Sequence, residues 1–147
     1  MRKTQARGTP APDLSKADYE RLAQFRYILR RFLAFSEQAA TDASLTAQQH
    51  QALLAIKGFS GRDYVTTGEL AERLCIRHHS AVGLVDRLCA NGLVRRTSSD
   101  EDRRQVLVEL TAKSQALLAK LSAAHREELR RLAPLLEELL DGLKRDA

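Results

Sequence analysis

Four consecutive polar residues, Arg77, His78, His79 and Ser80, stand directly ahead of apolar residues at helical steps, Ala81, Leu84, Val85 and Leu88. Guanidinium, imidazole and hydroxyl groups at the positive end of a helix suit hydrogen bonds to phosphate oxygens and to base edges. At about 100° per residue, with the four apolar residues facing inward, His79, Gly83, Arg87 and Ala90 point outward, flanked by Ser80 and Val82. Glycine inside a helix costs roughly 1 kcal/mol relative to alanine. Gly83 therefore offers a bare surface for close approach of a ligand backbone, or is simply tolerated. The plain alternative for the whole segment is a solvated polar helix start.

A second constellation is the run Ser99-Asp100-Glu101-Asp102-Arg103-Arg104. On an extended strand Asp102 and Arg104 share a face, where the carboxylate can orient the guanidinium for insertion into a narrow minor groove. Charge runs are commonly solvated turns, and taken alone the tip stays open to that reading. His78 and His79 also offer nitrogens to a metal, but adjacent residues diverge on a helix and no Cys or carboxylate stands at the usual ligand spacing. We therefore expect neither a metal nor another cofactor. A Gly-rich phosphate loop, a G-x-S-x-G turn and a converging His-carboxylate-nucleophile set are all missing, so an enzyme is not expected.

These residues need elements to hold them. Ser15-Lys16-Ala17-Asp18 has the form of a capping box, and Leu22, Phe25, Leu29, Phe32 and Leu33 then recur at three- and four-residue steps, predicting a long helix over 16–41. Thr46-Ala47-Gln48-Gln49 starts a second helix that runs to Gly58, and Thr66-Thr67-Gly68-Glu69 a third that ends near Cys75. After a turn at Ile76-Arg77 comes the helix from His78 to Asn91, stopped by Asn91-Gly92 in a left-handed conformation. The stretches Leu93–Ser98 and Gln105–Leu110 predict a two-stranded hairpin around the charged tip. Thr111 caps a further helix with Leu117, Leu118, Leu121, Leu129 and Leu132, and Pro134 suits the first position of a last helix ending near Leu143.

The balance of the chain agrees with this. Its 147 residues are 44% hydrophobic and 29% charged, enough for one domain with a core, while Gly 7, Pro 3 and 5% aromatics argue against a strand-and-turn sandwich. The fold class expected is mainly α, a winged helix-turn-helix lobe with a small β-hairpin wing beside a helical region. The net charge of +5 favours an anionic partner, but it is uneven. Residues 1–16 carry Arg2, Lys3, Arg7 and Lys16 against Asp13, whereas 61–111 hold eight basic and eight acidic side chains. Residues 1–14, with Pro10 and Pro12, are read as a flexible basic arm ahead of a domain over 15–147. With no apolar run of membrane length and no signal-peptide pattern, a cytoplasmic chain with reduced thiols and no membrane partner is expected. Leucine and phenylalanine along 25–35 and 117–143 exceed what a small lobe needs, which suits burial against a second copy, or else an internal bundle.

The stretch Gly68-Glu69-Leu70-Ala71-Glu72-Arg73-Leu74, then Val85-Asp86-Arg87-Leu88, Asn91-Gly92-Leu93-Val94 and Asp102-Arg103-Arg104-Gln105-Val106-Leu107-Val108-Glu109-Leu110-Thr111, resembles the MarR family of bacterial transcription regulators. The likeness extends over nearly all of 16–145. It implies a homodimer made by the first and the last two helices (16–41 and 111–145), each subunit carrying a winged lobe (46–110) on a pseudo-palindromic double-stranded DNA operator. By the resemblance Arg104 enters the minor groove, Asp102 orients it, and residues 77–83 form the reading edge. The DNA-binding set expected is therefore Arg77, His78, His79, Ser80, Gly83, Arg87, Asp102, Arg103 and Arg104.

The chain departs from the family at His78, His79 and Gly83, where smaller hydroxyl-bearing or larger side chains are often met, so the base sequence read does not carry over. Peroxide-sensing members resemble one another in a first-helix cysteine that this chain lacks. Cys75 and Cys89 instead read as small apolar core positions. His50 and His125 are left open between pocket and surface. The function expected is repression by operator occupancy, with release by a small-molecule effector held between the dimer helices and the lobes. The alternative is a metal- or redox-responsive sensor, or an interaction module without a defined operator.

Overall fold

Three of the helices begin the same way. In the computed structural model, which describes residues 11–145, the side chains of Ser15, Thr46 and Thr66 each accept the amide three residues on, and Asp18, Gln49 and Glu69 reach back to the cap amides. These boxes satisfy donors that a helix start otherwise leaves unpaired. They open α1 (Lys16–Asp42), α2 (Ala47–Lys57) and α3 (Thr67–Arg73). The Ser15 amide and hydroxyl both donate to the Asp18 carboxylate and hold it below the usual carboxylate range.

Helix ends share a second device. After α1, α3 and α4 (His78–Ala90) the chain turns through a left-handed residue, Ser44 (φ 60°), Cys75 (φ 54°) and Gly92 (φ 68°). In each turn the amide of the next residue reaches back five positions, Leu45 to Ala40, Ile76 to Ala71 and Leu93 to Leu88, at 2.9–3.0 Å. Gly92 takes this conformation freely, as expected for Asn91-Gly92, whereas Ser44 and Cys75 take it with a side chain attached.

Between α2 and α3 lies β1 (Tyr64–Val65), and after α4 come β2 (Val94–Ser98) and β3 (Val106–Leu110). The sheet is antiparallel in the order β1-β3-β2, pairing Val94 with Leu110, Ser98 with Val106 and Val65 with Val108. The expected two-stranded wing thus gains a third strand. Two residues carry no readable alternation, and only pairing with β3 makes them a strand.

The final helix, α5 (Ala112–Arg145), differs more. Thr111 and Ser114 exchange hydrogen bonds at its start, as the cap reading expected. Instead of stopping at Pro134 and restarting, it runs straight through that residue. Proline removes one donor from the ladder. Leu132 and Leu139 on either side are buried, and α5 lies antiparallel against α1, with Arg21 across Gly142 and Phe32, Phe35 and Ser36 at His125. Packing on both sides of Pro134 holds the rod together.

The core sits in the lobe. Leu53 and Ile56 of α2, Leu70 of α3, Leu84, Val85 and Leu88 of α4, and Val65, Val94, Val108 and Leu110 of the sheet form one cluster, closed by Leu118 and Leu121 of α5. Of the expected basic arm, residues 11–14 are irregular and exposed, and the rest lies outside the described residues.

Candidate nucleic-acid interface

Helix α4 is two-faced. Ala81, Leu84, Val85 and Leu88 are buried, and Arg77, His78, His79, Ser80 and Arg87 are exposed, the division that the apolar spacing predicted. Unlike the other helix starts it has no side-chain cap. Arg77 occupies the cap position without a side-chain hydrogen bond, so no cap side chain competes for the first-turn amides of α4. Gly83 is half-buried rather than bare. The Arg87 guanidinium lies beside it, and a Cβ there would come within 3.3 Å of Nη1. Its surface is partly taken by this arginine of the same helix, and what it offers an approaching backbone is correspondingly smaller.

The wing tip departs from the strand reading. Asp102, Arg103 and Arg104 lie in the turn between β2 and β3, not on an extended strand. The Asp102 carboxylate accepts the backbone amide of Arg104 at 2.9 Å, and the Gln105 amide reaches the Asp102 carbonyl at 2.9 Å. Ser99 Oγ accepts the Glu101 and Asp102 amides at 3.3 and 3.4 Å. Asp102 therefore shapes the backbone that carries Arg104 instead of gripping the guanidinium, because a short side chain reaches an amide two residues on before it reaches a distant head group. Arg103 and Arg104 are exposed, and no ion pair among the described residues engages either guanidinium.

Two connections escaped the sequence reading. Arg96 of β2 is ion-paired with Asp86 of α4, and its Nη1 lies 3.4 Å from Cys89 Sγ, so the wing is tied to the helix beside it. Arg62 pairs with Glu69 and stacks on Phe59 and Tyr64 at 4.4 and 5.1 Å, bracing the loop ahead of β1 against the start of α3. Asp86 and Arg96 are ten residues apart in the chain, and no local spacing announces their meeting. The cysteines also need correction. Cys75 is exposed in the left-handed turn rather than in the core, because that turn points it away from the α3 packing face, and Cys89 is only half-buried against the core. The two histidines left open are both buried, one against the other. Among the described residues no three of His, Cys, Asp and Glu converge as a metal centre requires.

A two-helix unit with a three-stranded wing defines a winged helix-turn-helix protein. The comparisons with known proteins make this specific. A sequence model of the MarR family matches residues 43–105, the lobe and most of the wing. The HTH-type transcriptional repressor NicR of Pseudomonas putida is 30% identical over 118 residues, covering 78% of this chain and 73% of that protein. AbsC, a MarR family transcriptional regulator from Streptomyces coelicolor, shares the fold with a TM-score of 0.71 at 20% identity, over 92% of this chain and 93% of that one. A mutant MarR from E. coli, complexed with operator DNA, matches with a TM-score of 0.62 at 23% identity, over 90% and 99%. The chain belongs to the MarR family. It is a DNA-binding transcriptional regulator and not an enzyme. Among the described residues no helix is long and apolar enough to cross a membrane.

Proposed function

We propose that this chain is a homodimeric repressor that reads a pseudo-palindromic operator. The observation that carries the reading is the uncapped, exposed start of α4 above a sealed apolar face, on the lobe that also carries the unpaired guanidinium groups of Arg103 and Arg104. In this reading Arg77, His78, His79 and Ser80 meet phosphates and base edges in the major groove, with Gly83 one turn and Arg87 two turns further along. Arg103 and Arg104 reach the backbone and minor groove, and Asp102 holds their turn in shape.

The helical region 16–41 with 111–145 forms the dimer, and 46–110 the reading lobe. Support for a dimer comes from α1, where Leu22, Phe25, Leu29 and Leu33 are exposed, and from exposed Leu129, Leu135, Leu140 and Leu143 on α5. Two lobes related by a twofold axis would meet successive major grooves about 34 Å apart. Repression accords with the name of the NicR relative, and operator binding with the complex formed by the E. coli neighbour. A small-molecule effector between the helical pair and the lobes would act through its different affinity for two lobe spacings. The site of action is the cytoplasm.

Fluorescence anisotropy against DNA from the protein's own promoter and a scrambled duplex, at two salt concentrations, tests this. An operator reader prefers the promoter by roughly 10³-fold or more and weakens steeply with salt. Equal, weak binding to both duplexes would instead favour an interaction module on the same scaffold.

A further inference from the structure

At the junction of the lobe with the helical pair two imidazole rings are buried together. His50 of α2 and His125 of α5 lie with centroids 4.7 Å apart and their planes tilted by 51°. Their exposures are 3% and 9%. Phe32 and Phe35 of α1 meet the His125 ring edge-on at 5.8 and 5.2 Å.

The two rings are not equivalent. His125 Nδ1 lies 2.6 Å from the Leu121 carbonyl, which only accepts, so Nδ1 carries a hydrogen and donates. In the neutral ring Nε2 then accepts the Ser36 hydroxyl at 2.9 Å. A proton added at Nε2 breaks no bond, because the hydroxyl can rotate and accept instead. His50 has no such provision. Its Nδ1 is buried without a hydrogen-bond partner, the one such side-chain atom among the described residues. A second positive charge there would be buried against the first with nothing to offset it.

Among the described residues the one charged neighbour that acts on His50 is His125. One turn either way along α2 stand Thr46, Ala47, Leu53 and Leu54. The α1 side presents Phe32, Phe35 and Ser36, and the next residue, Glu37, is exposed. On α5 the next ionisable group on that face is Glu128, three residues after His125, and it pairs with Arg131 at 3.5 Å. Burial, and then the neighbouring His125, hold the His50 imidazole below its ordinary range.

We propose that His50 and His125 form a one-proton latch between the DNA-binding lobe and the helical pair: α2 stays seated on α5 while the two rings share at most one proton, and a second proton unseats it. The sign follows from linkage. A released His50 titrates near pH 6.5 and the seated one lower, so the seated state binds fewer protons. Its full stability is present above about pH 6.5 and is lost as pH falls through the lowered native value. The consequence for DNA, a lobe freed from its partner helices in acid, rests on the function proposed above.

Ring resonances of the isotope-labelled full chain, followed from about pH 8 to about pH 5, test the latch in the wild-type protein without DNA. His125 should show the Nδ1–H tautomer at high pH, and His50 should stay neutral for as long as its ring contact with His125 persists. A His50 ring that takes up a proton with its contact with His125 intact overturns the proposal. Thermal unfolding gives a second reading. Between about pH 7.5 and 5.5 the wild-type midpoint falls, His50→Leu removes about half or more of that fall, and Ser36→Ala deepens it by leaving His125 Nε2 without a partner. Parallel falls in wild type and His50→Leu also overturn it. DNA titrations of the same two proteins then separate the claims, since the α4 reading surface is the same in both. If the rings behave as described and the two proteins lose DNA affinity equally in acid, the link to DNA is overturned. If neither binds DNA at any pH, the operator reading fails and the latch stands.

Discussion

The lobe and the helical pair draw on the same apolar residue types and bury them to different extents. In the lobe Leu53, Ile56, Val65, Leu70, Val85, Leu88 and Val108 are wholly buried. Along the 27 residues of α1 the buried residues are Ile28 and Ala40, while Leu22 and Leu33 remain about half exposed, at 55% and 49%. The lobe closes its core with strands and helices of its own chain plus the start of α5. The pair leaves large apolar side chains of both helices open to water, Leu22, Phe25, Leu29 and Leu33 on α1 and Leu129, Leu135, Leu140 and Leu143 on α5. The lobe is thus closed within one chain, whereas the helical pair leaves large apolar side chains uncovered. Apolar side chains exposed in this number suit the burial against a second copy proposed above.

Substitutions on the two sides should fail in different ways. The largest effect belongs to the lobe: Leu84→Ala removes a side chain that is 1% exposed and should cost about 2–5 kcal/mol in urea unfolding, with little dependence on protein concentration. On the pair, Phe25→Glu should preserve the helical circular dichroism and weaken self-association by about 100-fold or more, read by sedimentation. If Phe25→Glu instead unfolded the chain at every concentration, these side chains would belong to a self-contained bundle and the contrast would be lost.

Smaller effects divide the reading surface. Arg104→Ala should weaken binding to different operators alike and reduce the salt slope by about 1, whereas His79→Ala should shift base preference by about 1–3 kcal/mol, measured by anisotropy on operator variants. Unchanged affinity and preference in both variants would remove these residues from the interface. The smallest effect expected is a gain. Cys75→Gly relieves a left-handed residue in the turn between α3 and α4 and should stabilise the lobe by about 1 kcal/mol, with no change in self-association.

What could be read from the sequence follows the range of the interactions concerned. The boxes at Ser15, Thr46 and Thr66 are satisfied within four residues, and so the helix starts were legible residue by residue. The outward set of α4 was legible for the same reason, since its apolar spacing is local. Strand β1 was not, because Tyr64-Val65 becomes a strand through Val108 and Glu109, more than forty residues on. The local sequence at Pro134 signals a helix start, whereas the burial of Leu132 and Leu139 on either side of it belongs to the α1–α5 packing and is not local. At the wing the competition was local but close. Asp102 could serve a strand neighbour or a turn amide, and the turn won. The His50–His125 contact joins residues far apart in sequence, and nothing near either one announces it.

In the proposed function two chains read one operator together. Sedimentation of the purified protein with a fluorescent promoter duplex, at protein concentrations spanning the binding transition, tests this most directly. Under the proposed function free protein sediments at twice the chain mass and the tight complex holds two chains per duplex, with Phe25→Glu reducing both. A monomer in solution that binds the duplex one chain at a time, with no preference for the promoter over a scrambled duplex, would contradict it.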